Sequence, residues 1–160
     1  MATYKIGVVV GSLRKESINR QLAQALVKLL PQDFSAEFIE IGDLPLYNQD
    51  LDGNQPEAVG KFKQQIEQQH GIIFVTPEYN RSMPGVLKNA IDHGSRPYGQ
   101  NSWAGKSVGI VGTSPGAPAT SMSQQHLRNT LVFCNMPALN QPEAFIQWRD
   151  GMIDAQGSFN

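Results

Sequence analysis

Cysteine is almost absent from this sequence. Cys134 stands alone, so no internal disulfide can form, and a reducing cytoplasm is the expected compartment. Histidine is scarce as well: His70, His93 and His126 are far apart and show no metal-ligand spacing, so no metal is expected. Charged residues make up only 17% of 160 positions, with a net charge of −1. No basic stripe follows from such a balance, and nucleic acid is not expected as a partner. No apolar run approaches the roughly 20 residues of a membrane span, and no membrane partner is expected. The N-terminal MATYKIGVVVG is too short in its apolar part for a secretion signal. Without such a signal, Asn80-Arg81-Ser82 is a chance match to the glycosylation sequon. Repeats, low-complexity tracts and inter-domain linkers are also missing, so residues 1–160 are expected to form one domain.

What is present is an alternation of two periodicities. The runs KIGVVVG (5–11), AEFIEI (36–41), GIIFVT (71–76) and KSVGIVGT (106–113) read as strands, and a short fifth is expected within NMPALNQPEAFI. Between them, segment 17–30 places Ile18, Leu22, Ala25, Leu26 and Leu29 on one helical face. Asn54 and Glu57 suit a capping box for a second helix, with Val59, Phe62 and Ile66 inward and Gly71 as its C-cap. Pro84 opens a third helix to about His93, and residues 121–133 form a fourth. Near-continuous apolar strands alternating with helices predict a parallel sheet covered on both faces, a three-layer α/β/α domain. Such a domain ordinarily closes with a helix after its last strand. This sequence stops at DAQGSFN, and the expectation is that the closing helix is missing from the chain.

Three loops carry unusual chemistry: GSLRKES (11–17), TPEYNRSMP (76–84) and GTSPGAPAT (112–120). They follow strands one, three and four, which are neighbours if the strand order is the flavodoxin-like 2-1-3-4-5. All three then open on one crevice at the carboxyl edge. In the first loop, Ser12, Ser17 and Asn19 offer hydrogen bonds and Arg14 a guanidinium, just ahead of a helix N-terminus. That is the donor set for a phosphate monoester. A plain capping role explains Ser17 but not Arg14 beside two other polar side chains.

Competing fingerprints fail. Gly11 is the only glycine of its loop, so the dinucleotide pattern G-x-G-x-x-G is absent. The GKS at 105–107 lacks the first P-loop glycine, since residue 100 is Gln, and it precedes a strand. GTSPG (112–116) matches the G-x-S-x-G elbow, yet Pro115 and Pro118 keep the chain from turning straight into a helix. A loop whose Ser114 and amides line a ligand is the better reading. Cys134, ending an apolar helix, reads as core.

With these stretches together, the chain resembles the NADPH-dependent FMN reductase family of flavodoxin-fold flavoproteins. The resemblance rests on GSLRKESINRQLA, TPEYNRSMPGVLKNAIDHGSRP, WAGKSVGIVGTSPG and HLRNTLVF, and spans essentially the whole chain. It implies FMN as cofactor, NAD(P)H as substrate and a quinone or similar small molecule as acceptor, in a ping-pong cycle. It also implies a homodimer or homotetramer. Ser12, Arg14, Ser17 and Asn19 would hold the FMN phosphate and its approach, with Gly11, Leu13 and Ile18 in the same cofactor-binding loop. Pro77, Glu78, Tyr79 and Asn80 would border the isoalloxazine ring, and Ser114 and Gly116 would flank it. Tyr79 packing on a neighbouring element or subunit remains the alternative for that ring. No catalytic side chain is named, because hydride transfer to a flavin demands neither acid nor nucleophile. The rival function is a flavodoxin-type FMN electron carrier that does not oxidise NAD(P)H; such carriers are strongly acidic, and a net charge of −1 argues against it.

Overall fold

The structure, a computed structural model, describes residues 3–160. Strands and helices alternate: β1 Tyr4–Val10, α1 Ile18–Val27, β2 Phe34–Phe38, α2 Glu57–Glu67, β3 Gly71–Val75, α3 Gly85–Gly94, β4 Ser107–Ser114, α4 Ser121–Phe133 and β5 Phe145–Gln147. All strand pairs are parallel, in the order β2-β1-β3-β4-β5. This is the flavodoxin-like arrangement expected from where the unusual loops fall.

Register and side-chain alternation divide the core into two layers. Val9, Phe74 and Ile110 form one row across β1, β3 and β4. They share a cluster with Phe62 and Ile66 of α2, Leu87 and Ile91 of α3, Leu127 and Leu131 of α4, and the buried Trp103. Val8, Val10, Val75 and Val111 face the other way, against Leu22 and Ala23 of α1. Ala144, Ile146 and Phe159 add partial cover on that second face.

Several boundaries differ from the sequence reading, each for a local reason. The helix after β1 ends at Val27, so Leu29 falls past the C-cap Lys28 and is exposed instead of facing the core. The capping box at Asn54 and Glu57 does not form. Pro56 occupies the N-cap position of α2 without a side-chain cap bond, and the Glu57 carboxylate pairs with Lys61 at 2.6 Å. Gly71 begins β3 and caps nothing; Gln68 is the C-cap of α2. The expected fifth strand is split: Ala138 makes an isolated bridge to Val108, and β5 starts only at Phe145. Pro137 takes part in the bridge through its carbonyl, which accepts the Val108 N–H at 2.9 Å, and Pro142, with no N–H to donate, lies in the gap before β5.

Candidate active site

β1, β3 and β4 end at the same edge of the sheet, and their following loops enclose a cleft of about 150 Å³. The first loop contributes Ser12, Arg14, Ser17, Ile18 and Asn19; the second, Pro77, Glu78 and Tyr79; the third, Thr113, Ser114 and Pro115. Residues more than sixty positions apart thus meet because the strand order makes their strands neighbours.

The first loop ends at Ser17, the N-cap of α1, whose Oγ accepts the Arg20 N–H at 3.3 Å. Ser12 Oγ likewise accepts the Arg14 N–H at 3.3 Å. Both serines are buried, and each keeps its own O–H proton for a further acceptor. Ile18 and Asn19 sit in the first turn of α1, where backbone N–H groups have no intrahelical partner, and no acidic residue lies in that turn. Arg14 forms no ion pair among the described residues. The first loop is therefore a concentration of uncommitted donors facing the cleft.

Asn19 departs from its expected role. Its Nδ2 donates to the Thr113 carbonyl at 2.9 Å and its Oδ1 accepts the Thr113 N–H at 3.0 Å, with the residue only 2% exposed. The side-chain amide is occupied in tying α1 to the end of β4, which corrects the assignment of that amide to a phosphate. Gly11 and Leu13 do not line the cleft. Gly11 is buried at the end of β1, where an added Cβ would stand 3.0 Å from Leu87 Cδ2 and 3.3 Å from Pro77 Cδ. Its missing side chain lets the first two loops approach each other. Leu13 points outward and is exposed.

In the second loop, Tyr79 and Ser82 exchange both backbone hydrogen bonds at 3.0 Å, closing a two-residue hairpin. Asn80 and Arg81 at its tip have φ of 52° and 64°. This is the left-handed pair a tight hairpin requires, usually supplied by Asn-Gly. Asn80 sits on this tip, outside the lining of the cleft, while Tyr79 leans over the rim, half exposed. The Glu78 carboxylate reaches away to α4, where Oε2 accepts the Met122 and Ser123 N–H groups at 3.1 Å each.

In the third loop the Ser114 hydroxyl donates to the Ala119 carbonyl at 2.9 Å and accepts the Gly116 N–H at 3.2 Å. Gly116 is exposed and does not line the cleft. His126 is bonded to Ser82 Oγ at 3.0 Å, so no histidine activates Ser114 and a serine-hydrolase dyad is not assembled. Thr113 and Pro115 were missed in the sequence. Thr113 carries a buried Oγ1 without a hydrogen-bond partner, and its place at the carboxyl end of an apolar strand was the available signal.

The other candidate groups are structural. His70 Nδ1 accepts the Lys5 N–H at 2.9 Å, and the buried His93 bonds the Pro45 carbonyl at 2.8 Å. Burial pushes the Cys134 thiol upward, away from the thiolate form a nucleophile needs. Among the described residues no three metal-ligating side chains gather, and no helix is long and apolar enough to cross a membrane.

Comparison with known proteins agrees with this geometry. The pattern of the family described as NADPH-dependent FMN reductase matches residues 4–149. A 2-hydroxy-1,4-benzoquinone reductase from Burkholderia sp is 54% identical over 154 residues, covering 96% of this chain and 84% of the relative. A quinone reductase from Pseudomonas putida is 49% identical, covering 98% and 85%. Among solved structures, FerB from Paracoccus denitrificans, a flavoenzyme NAD(P)H:(acceptor) oxidoreductase, superposes with a TM-score of 0.94 at 45% identity. It covers 98% of this chain and 86% of that one.

Proposed function

The chain belongs to the NADPH-dependent FMN reductase family, and from that premise we propose that the three-loop cleft holds FMN and serves NAD(P)H-driven reduction of quinones or similar small acceptors. One observation carries the reading: two buried serine hydroxyls, free first-turn amides and the Arg14 guanidinium converge at one strand edge.

The donor set fits the cofactor. A phosphate dianion at the N-terminus of α1 would accept from the Ser12 and Ser17 hydroxyls, from the backbone N–H groups of Ile18 and Asn19 and from Arg14. Pro77, Glu78 and Tyr79 with Ser114 and Pro115 would border the ring. FMN, held by the first loop, would supply the redox chemistry between NAD(P)H and the acceptor. The protein contributes position, exclusion of water from one ring face, and backbone N–H groups that stabilise negative charge on the reduced ring. Both reactants use the one open rim, so they alternate in a ping-pong cycle, and no side-chain acid or base is assigned.

Steady-state oxidation of NADH or NADPH with a benzoquinone tests the activity: parallel double-reciprocal lines are expected, from a yellow protein that releases FMN. A yellow protein that oxidises neither nucleotide is instead an electron carrier. Arg14→Ala is expected to weaken FMN retention by about 1.5–3 kcal/mol, the range for a hydrogen bond to a charged group. Equilibrium dialysis giving an unchanged dissociation constant would remove Arg14 from the phosphate site.

The remaining proposals concern assembly and place. Tyr98 and Phe133 are 89% and 85% exposed, and with Leu46 and Val132 they leave large apolar side chains on the surface. Burying them between copies gives a homodimer or homotetramer, which light scattering coupled to gel filtration measures. The unpaired Cys134 suits the cytoplasm.

A further inference from the structure

The N-terminus of α4 is satisfied in an unusual way. Its N-cap residue, Thr120, makes no capping hydrogen bond; the Thr120 hydroxyl instead accepts from Gln124 Nε2 at 3.0 Å. The orphan N–H groups of Met122 and Ser123 are taken by Glu78 Oε2, from 44 and 45 residues away. A helix ordinarily finds this partner in its own first residue. Two further links join the same pair of segments. Ser123 Oγ donates to the Pro77 carbonyl at 2.9 Å and lies 3.0 Å from Thr76 Oγ1, which itself donates to Pro77 at 2.8 Å. His126 Nδ1 meets Ser82 Oγ at 3.0 Å.

Met122, Ser123 and His126 thus hold Pro77, Glu78 and Ser82 along the first turns of α4. The bracket spans both ends of the hairpin whose tip, Asn80 and Arg81, has left-handed backbone. Such a conformation persists only where its surroundings over-determine it. From this juxtaposition we propose that Glu78 is a positioning residue: anchored to the N-terminus of α4, it sets residues 77–82 in the shape that receives the flavin ring before any cofactor arrives. The proposal rests on the FMN reading above and assigns the Glu78 side chain a task separate from phosphate binding.

The distinction is measurable because riboflavin has the ring and polyol of FMN but no phosphate. Flavin-free protein is titrated with FMN and with riboflavin, and its amide exchange is followed over residues 79–82. The wild type is expected to protect the Tyr79 and Ser82 amides without flavin. Glu78→Ala is expected to lose that protection and to weaken both flavins by the same factor, about tenfold. Glu78→Gln, which keeps an oxygen for the two amides, is expected to restore binding to within about threefold. Should the alanine variant not fold, Ser123→Ala removes only the hydroxyl link and is expected to weaken both flavins equally.

Two outcomes overturn the proposal: a Glu78→Ala protein that is less stable yet binds riboflavin as the wild type does, or a wild type whose 79–82 amides exchange freely without flavin. Arg14→Ala serves as the counter-measurement, since it is expected to weaken FMN and leave riboflavin unchanged. A wild type that binds neither flavin overturns the FMN reading itself, and this proposal with it.

Discussion

Gly112→Ala is expected to leave little folded protein. A Cβ at position 112 would stand 2.1 Å from the Thr76 carbonyl oxygen and 2.4 Å from Thr120 Oγ1. The first obstacle is backbone held in the sheet, since the Thr76 N–H donates to the Val111 carbonyl at 2.9 Å. Relief would require β3 and β4 to part, and neither can do so without breaking a ladder that runs from Gly71 to Val75. The second obstacle is the residue that starts α4. A clash with two fixed elements at once belongs among the exceptional point changes, above about 4 kcal/mol. Soluble yield and the thermal midpoint measure it, and a midpoint near that of the wild type would show that the sheet yields here.

The second large effect is expected at Asn19. Its amide makes two buried hydrogen bonds to the backbone of Thr113, at 2.9 and 3.0 Å. Asn19→Ala strands an N–H and a C=O that are both out of reach of water, at about 1–3 kcal/mol for each unsatisfied group. The summed loss, about 2–6 kcal/mol, would take a large part of a small domain's stability. Function should fall with it. The same side chain joins the wall formed by residues 12–19 to the wall formed by residues 113–115, so its loss lets the cleft widen. Chemical denaturation with and without FMN separates the two consequences: a lower midpoint in both conditions, and a smaller shift on adding cofactor. An unchanged midpoint without FMN would contradict the clamp.

How much of this is legible in the sequence depends on the range of the interaction. Strands such as GIIFVT declare themselves by a dense β-branched run. The Val59, Phe62 and Ile66 stripe of α2 was likewise visible, because both patterns are local. The meeting of three loops was legible only through strand order, a rule of topology that no single loop displays. Short-range signals misled where a neighbour offered a better partner. Glu57 had Lys61 one turn away and did not fold back towards Asn54. Asn19 looked like a ligand-binding amide because its acceptor and donor, both on Thr113, lie 94 residues further on. Glu78 hid its carboxylate's task for the same reason, since nothing near PEYN indicates that the start of α4 lies within reach.

The hairpin at the rim constrains its own tip. Tyr79 and Ser82 close it with their own main-chain bonds, so the two tip residues are held by the backbone and not by their side chains. Asn80 and Arg81 carry the left-handed twist between those bonds. Any pair placed there must accept left-handed backbone, so Asn or Gly suits the tip and a β-branched residue does not.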